Sequence, residues 1–138
     1  MRKRTQSREF ALQLLYQLDI TKEKDCEIVL DNLWQSQDEL AAEDIKAFTA
    51  DLVRGVVNQL KEIDAKIAQY ASNWQIGRMA VVDRNILRLA SYELLFRSDI
   101  PPKVSINEAI ELAKKYSGIE AAKFVNGVLD KIKADKEA

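Results

Sequence analysis

Pro101-Pro-Lys-Val-Ser-Ile-Asn-Glu-Ala-Ile-Glu-Leu-Ala-Lys-Lys-Tyr116, then Ser117-Gly118, then Ile119-Glu-Ala-Ala-Lys-Phe-Val-Asn-Gly-Val-Leu-Asp-Lys131, is the stretch that decides the fold. The proline pair stops whatever precedes it, because proline lacks an amide donor and forces its neighbour into extended geometry. Ser105 and Glu108 have capping-box spacing, which predicts a helix from there to about Tyr116. Gly118 is placed to end it in a left-handed C-terminal conformation. A second helix follows, with Ala122, Val125, Leu129 and Ile132 on one face and Phe124 and Val128 extending it. Gly127 in its middle costs about 1 kcal/mol relative to alanine, and a close backbone approach would offset that. Asn126 beside it is either a satisfied amide at a tight helix crossing or a donor to a neighbour or ligand.

Working outward, the whole chain reads as helix. Of its 138 residues, 4 are glycine and 2 proline, too few turn formers for many short strands. Apolar residues make up 47% and charged residues 31%, as in an ordinary globular domain. No apolar run is long enough to span a membrane and no signal core follows the basic start, so the expected compartment is the cytoplasm.

Thr5 or Ser7 can cap a first helix to about Leu18, with Phe10, Ala11, Leu14, Leu15 and Leu18 on its buried face. Residues 19–25 read as a linker. Ile28, Val29, Leu33 and Trp34 mark a second helix, followed by a polar break at Gln35–Glu39. Ile45, Phe48, Leu52 and Val56 mark a third, in which Gly55 points to a close helix contact. Leu60, Ile63, Ile67 and Tyr70 mark a fourth. Ser72 and Asn73 read as turn residues, and Trp74, Ile76 and Met79 as a packing plug bent at Gly77. Val81 to Phe96 is apolar on most sides and belongs in the centre, yet it carries Asp83, Arg84, Arg88 and Glu93. Such charges are either paired internally or aimed at a partner; internal pairing is the reading preferred for Arg88 and Glu93. The tail from Lys131 is charged and is expected to fray.

The net charge of −1 hides a division. Arg2, Lys3, Arg4 and Arg8 open the chain without an acid among them, whereas residues 19–51 carry ten acids against Lys22, Lys24 and Lys46. A site for a polyanion would include the start and exclude that segment. Arg4 and Arg8 lie one turn apart on an edge of the first helix, with Gln13 and Tyr16 on its other flank. The plain reading is a solvated arm and a half-buried tyrosine. The functional one is a phosphate-contacting arm beside a surface that stacks bases.

The absence of histidine removes imidazole catalysis and histidine metal sites, and one cysteine, Cys26, makes neither a disulfide nor a zinc cluster. The four glycines are scattered and form no phosphate-binding loop. No cofactor is expected, and an enzyme has little support.

Three stretches together resemble a known family. They are Ser7-Arg-Glu-Phe-Ala-Leu-Gln-Leu-Leu-Tyr16, Asp83-Arg-Asn-Ile-Leu-Arg-Leu-Ala-Ser-Tyr-Glu-Leu94, and Pro102 to Lys114 continuing through Lys123-Phe-Val-Asn-Gly-Val-Leu-Asp130. The family is NusB, bacterial transcription antitermination factors. The resemblance implies an all-α fold of about seven helices in two small packed bundles, roughly residues 1–70 and 75–138 of a single RNA-binding domain. It implies binding to boxA, a single-stranded element of ribosomal RNA transcripts, and a heterodimer with NusE, a small-subunit ribosomal protein. The assembly would make RNA polymerase resistant to termination. Carried onto this sequence, the RNA-binding residues are Arg2, Lys3, Arg4, Arg8 and Tyr16, with Glu120, Lys123, Phe124 and Asn126 on the last helix. Asp83, with Arg84 and Arg88 on its helix, matches the NusE-facing surface. Thr5 and Gln6 stand where many members have further arginines. A protein-only interaction module, or a helical domain detached from an rRNA methyltransferase, are the alternatives, and exposed helix faces leave room for a homodimer.

Overall fold

The computed structural model describes residues 2–36, 42–71 and 75–138. These residues form seven α-helices and no strand: α1 Lys3–Thr21, α2 Cys26–Ser36, α3 Glu43–Asn58, α4 Leu60–Tyr70, α5 Val81–Phe96, α6 Pro102–Tyr116 and α7 Ile119–Glu137. One 3-10 turn, Ile76–Arg78, leads into α5. Ser72, Asn73 and Trp74, and residues 37–39 of the polar break, lie outside the described residues.

Helix α5 is the hub, packed against α1, α3, α4, α6 and α7. Ile86, Leu87, Leu89, Ala90 and Leu94 are buried on it, so an apolar surface this wide needs neighbours on several sides. Gly55 of α3 meets it closely. A Cβ there would lie 2.1 Å from Tyr92 Cζ, so only glycine admits that ring. Tyr92 in turn stacks on Phe96 at 5.8 Å. Hydroxyls fasten α1 to α3: Ser7 Oγ donates to the Ile45 carbonyl at 3.1 Å, and Thr49 Oγ1 to the Ser7 carbonyl at 3.4 Å.

Several local expectations are corrected. Helix α6 begins at Pro102, with Pro101 in the N-cap position, not at Ser105. Proline suits the first turn, where its missing donor has no helical partner in any case. Ser105 and Glu108 are therefore inside the helix, and both turn toward α1 and α5 rather than to their own backbone. Helix α1 starts at Lys3 with no side-chain cap, and Thr5 and Ser7 make tertiary bonds instead. Gly118 ends α6 as expected, with positive φ and its amide donating to the Ala113 carbonyl at 2.8 Å, but at φ 125° and ψ 176° it lies outside the left-handed helical well and also opens α7. Gly127 is exposed and nothing lies within 4 Å of a Cβ built there, so no helix crosses at that point. The tail stays helical to Glu137, because Ile132 is buried, Lys66 pairs with Asp135 at 2.7 Å and Lys136 donates to the Leu94 carbonyl.

Candidate nucleic-acid interface

The four amino-terminal cations separate. Arg2, Lys3 and Arg4 are exposed. Lys3 Nζ lies 3.0 Å from Asp44 in a solvent-exposed pair, and Arg4 rests its guanidinium 4.3 Å from the Phe48 ring centroid. Arg8 is only 2% exposed. Its Nε and Nη2 donate to both oxygens of Glu93, at 2.9 and 2.7 Å, and Nη1 donates to Glu108 at 3.2 Å. Ser105 Oγ donates to Glu93 at 2.8 Å, and Thr5 Oγ1 to Glu108 at 2.6 Å. The expectation that Arg8 contacts phosphate is corrected. A guanidinium enclosed by two carboxylates joins α1 to α5 and α6, and a burial of this kind requires such pairing.

Gln13 and Tyr16 are exposed on the opposite flank of α1. They line an open groove of about 420 Å³ with Gln6, Glu9, Phe10, Leu12, Val82 and Tyr116. Its walls are mostly apolar and none of these residues is a cation. Glu9 accepts from Lys115 at 2.7 Å, which also holds the end of α6 against α1. Tyr116, 48% exposed, forms the far wall. Val82 brings the first turn of α5 to the same groove.

Arg84 and Arg88, expected on a partner-facing surface, are also turned inward. Arg84 grips Asp19 with Nε at 2.6 Å and Nη2 at 2.7 Å. Arg88 donates to Asp64 at 2.8 and 2.9 Å and to Asp19 at 2.9 Å. Asn85 Nδ2 adds a bond to Asp19 at 2.9 Å. Burial by itself would raise the Asp19 pKa; the hydrogen bonds from Arg84 and Asn85 and the charges of Arg88 and Arg84 outweigh it and hold the carboxyl well below the usual carboxylate range. Both arginines are thereby committed to joining α5 to α1 and α4. The reading of Arg88 and Glu93 as internally paired holds, and Arg84, expected to face a partner, is paired internally as well. Asp83 differs: its Oδ1 is buried and accepts no hydrogen bond.

On α7, Lys123 and Glu120 face solvent and pair loosely at 3.5 Å. Phe124 is half-buried against the core and Asn126 half-buried beside it. These residues do not line the groove. They follow the end of α6, where Lys115 and Tyr116 meet α1.

A family model described as the NusB family matches residues 5–134. The chain belongs to the NusB family. It is 50% identical over 132 residues to the transcription antitermination protein NusB of Anaeromyxobacter sp., covering 96% of this chain and 90% of that one. It is 43% identical over 127 residues to the protein of the same name from Chloroherpeton thalassium, covering 92% of this chain and 59% of that longer relative. Among solved structures, a crystal structure of antitermination factors NusB and NusE in complex with dsRNA superposes with a TM-score of 0.88 at 31% identity, covering 98% of each chain.

Within this NusB-family fold, sequence reasoning missed Tyr116 and Val82 as groove residues. Tyr116 closes a helix and Val82 opens one. At such ends a helical wheel does not say which neighbour the side chain meets. It also missed Asp19, read as linker, which is the acceptor for three side chains of α5. Among the described residues no helix is long and apolar enough to cross a membrane.

Proposed function

We propose that this chain is a non-catalytic, cytoplasmic transcription antitermination factor that binds boxA RNA together with NusE and acts on RNA polymerase in that assembly. The observation that carries the reading is the full-length likeness, in sequence and fold, to a NusB structure that holds NusE and dsRNA. The surface chemistry supports a division of labour. Arg2, Lys3 and Arg4 are cations at the solvent edge, and Lys123 is another on α7. Such groups hold phosphates and supply affinity, while Phe124 and Asn126 offer a ring edge and an amide to bases. Gln13 and Tyr16 fit a different role from the base contacts expected of them. Their groove is mostly apolar, the one cation at its edge, Lys115, is neutralised by Glu9, and Asp83, next to Val82 in the first turn of α5, has a carboxylate oxygen without a hydrogen bond that suits a donor from a protein. We therefore assign the groove to NusE and the cationic edge to RNA.

The test is a titration of labelled boxA RNA, single-stranded and duplex, with the full chain, with and without NusE. Arg4→Ala should weaken RNA binding and leave NusE binding intact. Tyr16→Ala should do the reverse. No RNA binding in any combination at low salt, with NusE still bound, would favour the protein-only module, a reading that the inward-turned Arg8, Arg84 and Arg88 also support.

A further inference from the structure

We infer that the cleft between the α5–α6 loop and the last turns of α7 is a second phosphate-binding strip, taking RNA that runs on from the amino-terminal arm. The inference rests on the RNA reading above and assigns residues that neither the family motifs nor the arm supplies. The cleft has a volume of about 210 Å³ and is lined by Arg97, Lys133 and Lys136 over a floor of Leu94 and Ile100. It joins the arm through one aromatic ring. Arg4 lies 4.3 Å and Arg97 5.5 Å from the Phe48 centroid. The cations at the first residues of α1 and at the end of α5 are thus held over the same side chain, and the cleft continues from Arg97.

The charges there are arranged for exchange. Arg97 chelates Asp99 through Nε at 2.9 Å and Nη2 at 2.8 Å, but the Asp99 side chain is 57% exposed on the loop. The pair is bidentate but open to solvent on its Asp99 side, and a phosphate offers the guanidinium the same two-oxygen fork, so an incoming phosphate competes with the carboxylate for Arg97. Lys133 makes no ion pair among the described residues. Lys136 spends one proton on the Leu94 carbonyl, in the last turn of α5, which fixes its ammonium and leaves two protons for a ligand. Among the described residues, the acids that adjoin Arg4, Arg97, Lys133 and Lys136 are Asp99, Asp51 and Glu137, so the cations outnumber them. The small cleft and its cationic rim fit a phosphodiester backbone better than an acidic peptide, which would need room for its side chains.

The experiment compares a core boxA oligonucleotide with the same RNA extended by flanking nucleotides, using the full chain with NusE. The extension should tighten binding by the wild type by about three- to tenfold at low salt, with a steeper salt dependence of roughly 0.7 in slope per added contact. Lys133→Glu should erase that gain while leaving affinity for the core unchanged. Arg97→Gln, checked by its melting curve, should erase it in part. A photo-crosslinker at position 133 should label flanking rather than core nucleotides. The inference is overturned if the wild type binds both RNAs equally. It is also overturned if Lys133→Glu weakens both alike, or if an acidic peptide competes for the crosslink and the extension does not. Failure to bind even the core oligonucleotide would instead overturn the RNA reading on which the inference stands.

Discussion

Arg4 and Arg8 lie one turn apart on α1 and beside the same Phe48 ring, at 4.3 and 5.5 Å. Arg4 is in solvent; Arg8 is enclosed by Glu93 and Glu108. Their identical chemistry serves two ends. In water a guanidinium keeps its hydration and can trade it for phosphate, so it contributes to binding and little to stability. Out of water it must be matched oxygen for oxygen, so it contributes to helix placement and is lost to any ligand. The same contrast separates Lys123, on the surface of α7, from Arg84 and Arg88, which clasp Asp19 and Asp64. Inward charges position the helices; outward charges are left for partners.

Removing an inward acid tests the contrast most strongly. Glu93→Ala leaves Arg8 buried with only Glu108 and should cost about 3–5 kcal/mol in urea unfolding. A loss below 1 kcal/mol would show that Arg8 escapes to solvent easily and that the two arginines are not so different. The same distinction appears between glycines. Gly55→Ala must displace the Tyr92 ring and should cost about 1–3 kcal/mol. Gly127→Ala, on an exposed helical face, should stabilise by roughly 1 kcal/mol through helix propensity. Both are read from melting curves, and a shared sign would break the inside–outside division.

Acid sharpens it further. The Asp19 carboxyl has a folded pKa below its unfolded value of 3.8, so its stabilising contribution is complete above that value and is lost as pH falls toward the folded one. Asp19→Asn should therefore be less stable at neutral pH and show a flatter decline below pH about 4. A decline parallel to the wild type would place the acid sensitivity elsewhere. The smallest stability effect belongs to the outward cation. Arg4→Ala should stay within about 0.5 kcal/mol of the wild type in unfolding. Its effect should appear in RNA binding, as a loss of roughly 0.7 in the slope of log affinity against log salt.

Much of the candidate surface could be read from residue types. The basic start, the exposed Tyr16 and Gln13, and the solvent-facing Lys123 are where their helical positions place them. Arg8 was misread because a wheel puts it at the border of the apolar face, and a border position does not reveal whether an acid waits on the next helix. Ser105 and Glu108 differ from their reading for the same reason: their spacing fits a cap, but Ser105 finds Glu93 on α5, and Glu108 finds Arg8 and Thr5, a hundred residues away in sequence.

The elements are written locally along the chain. Apolar residues at helical spacing, few glycines and a proline pair specify helices and most of their limits, because those effects act within a few residues along the chain. The family is legible there too, through motifs on α1, α5, α6 and α7. Which charges are spent inside and which remain outside follows from packing alone, because pairing Arg8 with Glu93, or Arg84 with Asp19, depends on helices brought together from distant parts of the chain. The groove beside Tyr16 and the cationic cleft beside Arg97 are consequences of that packing, and no local rule contains them.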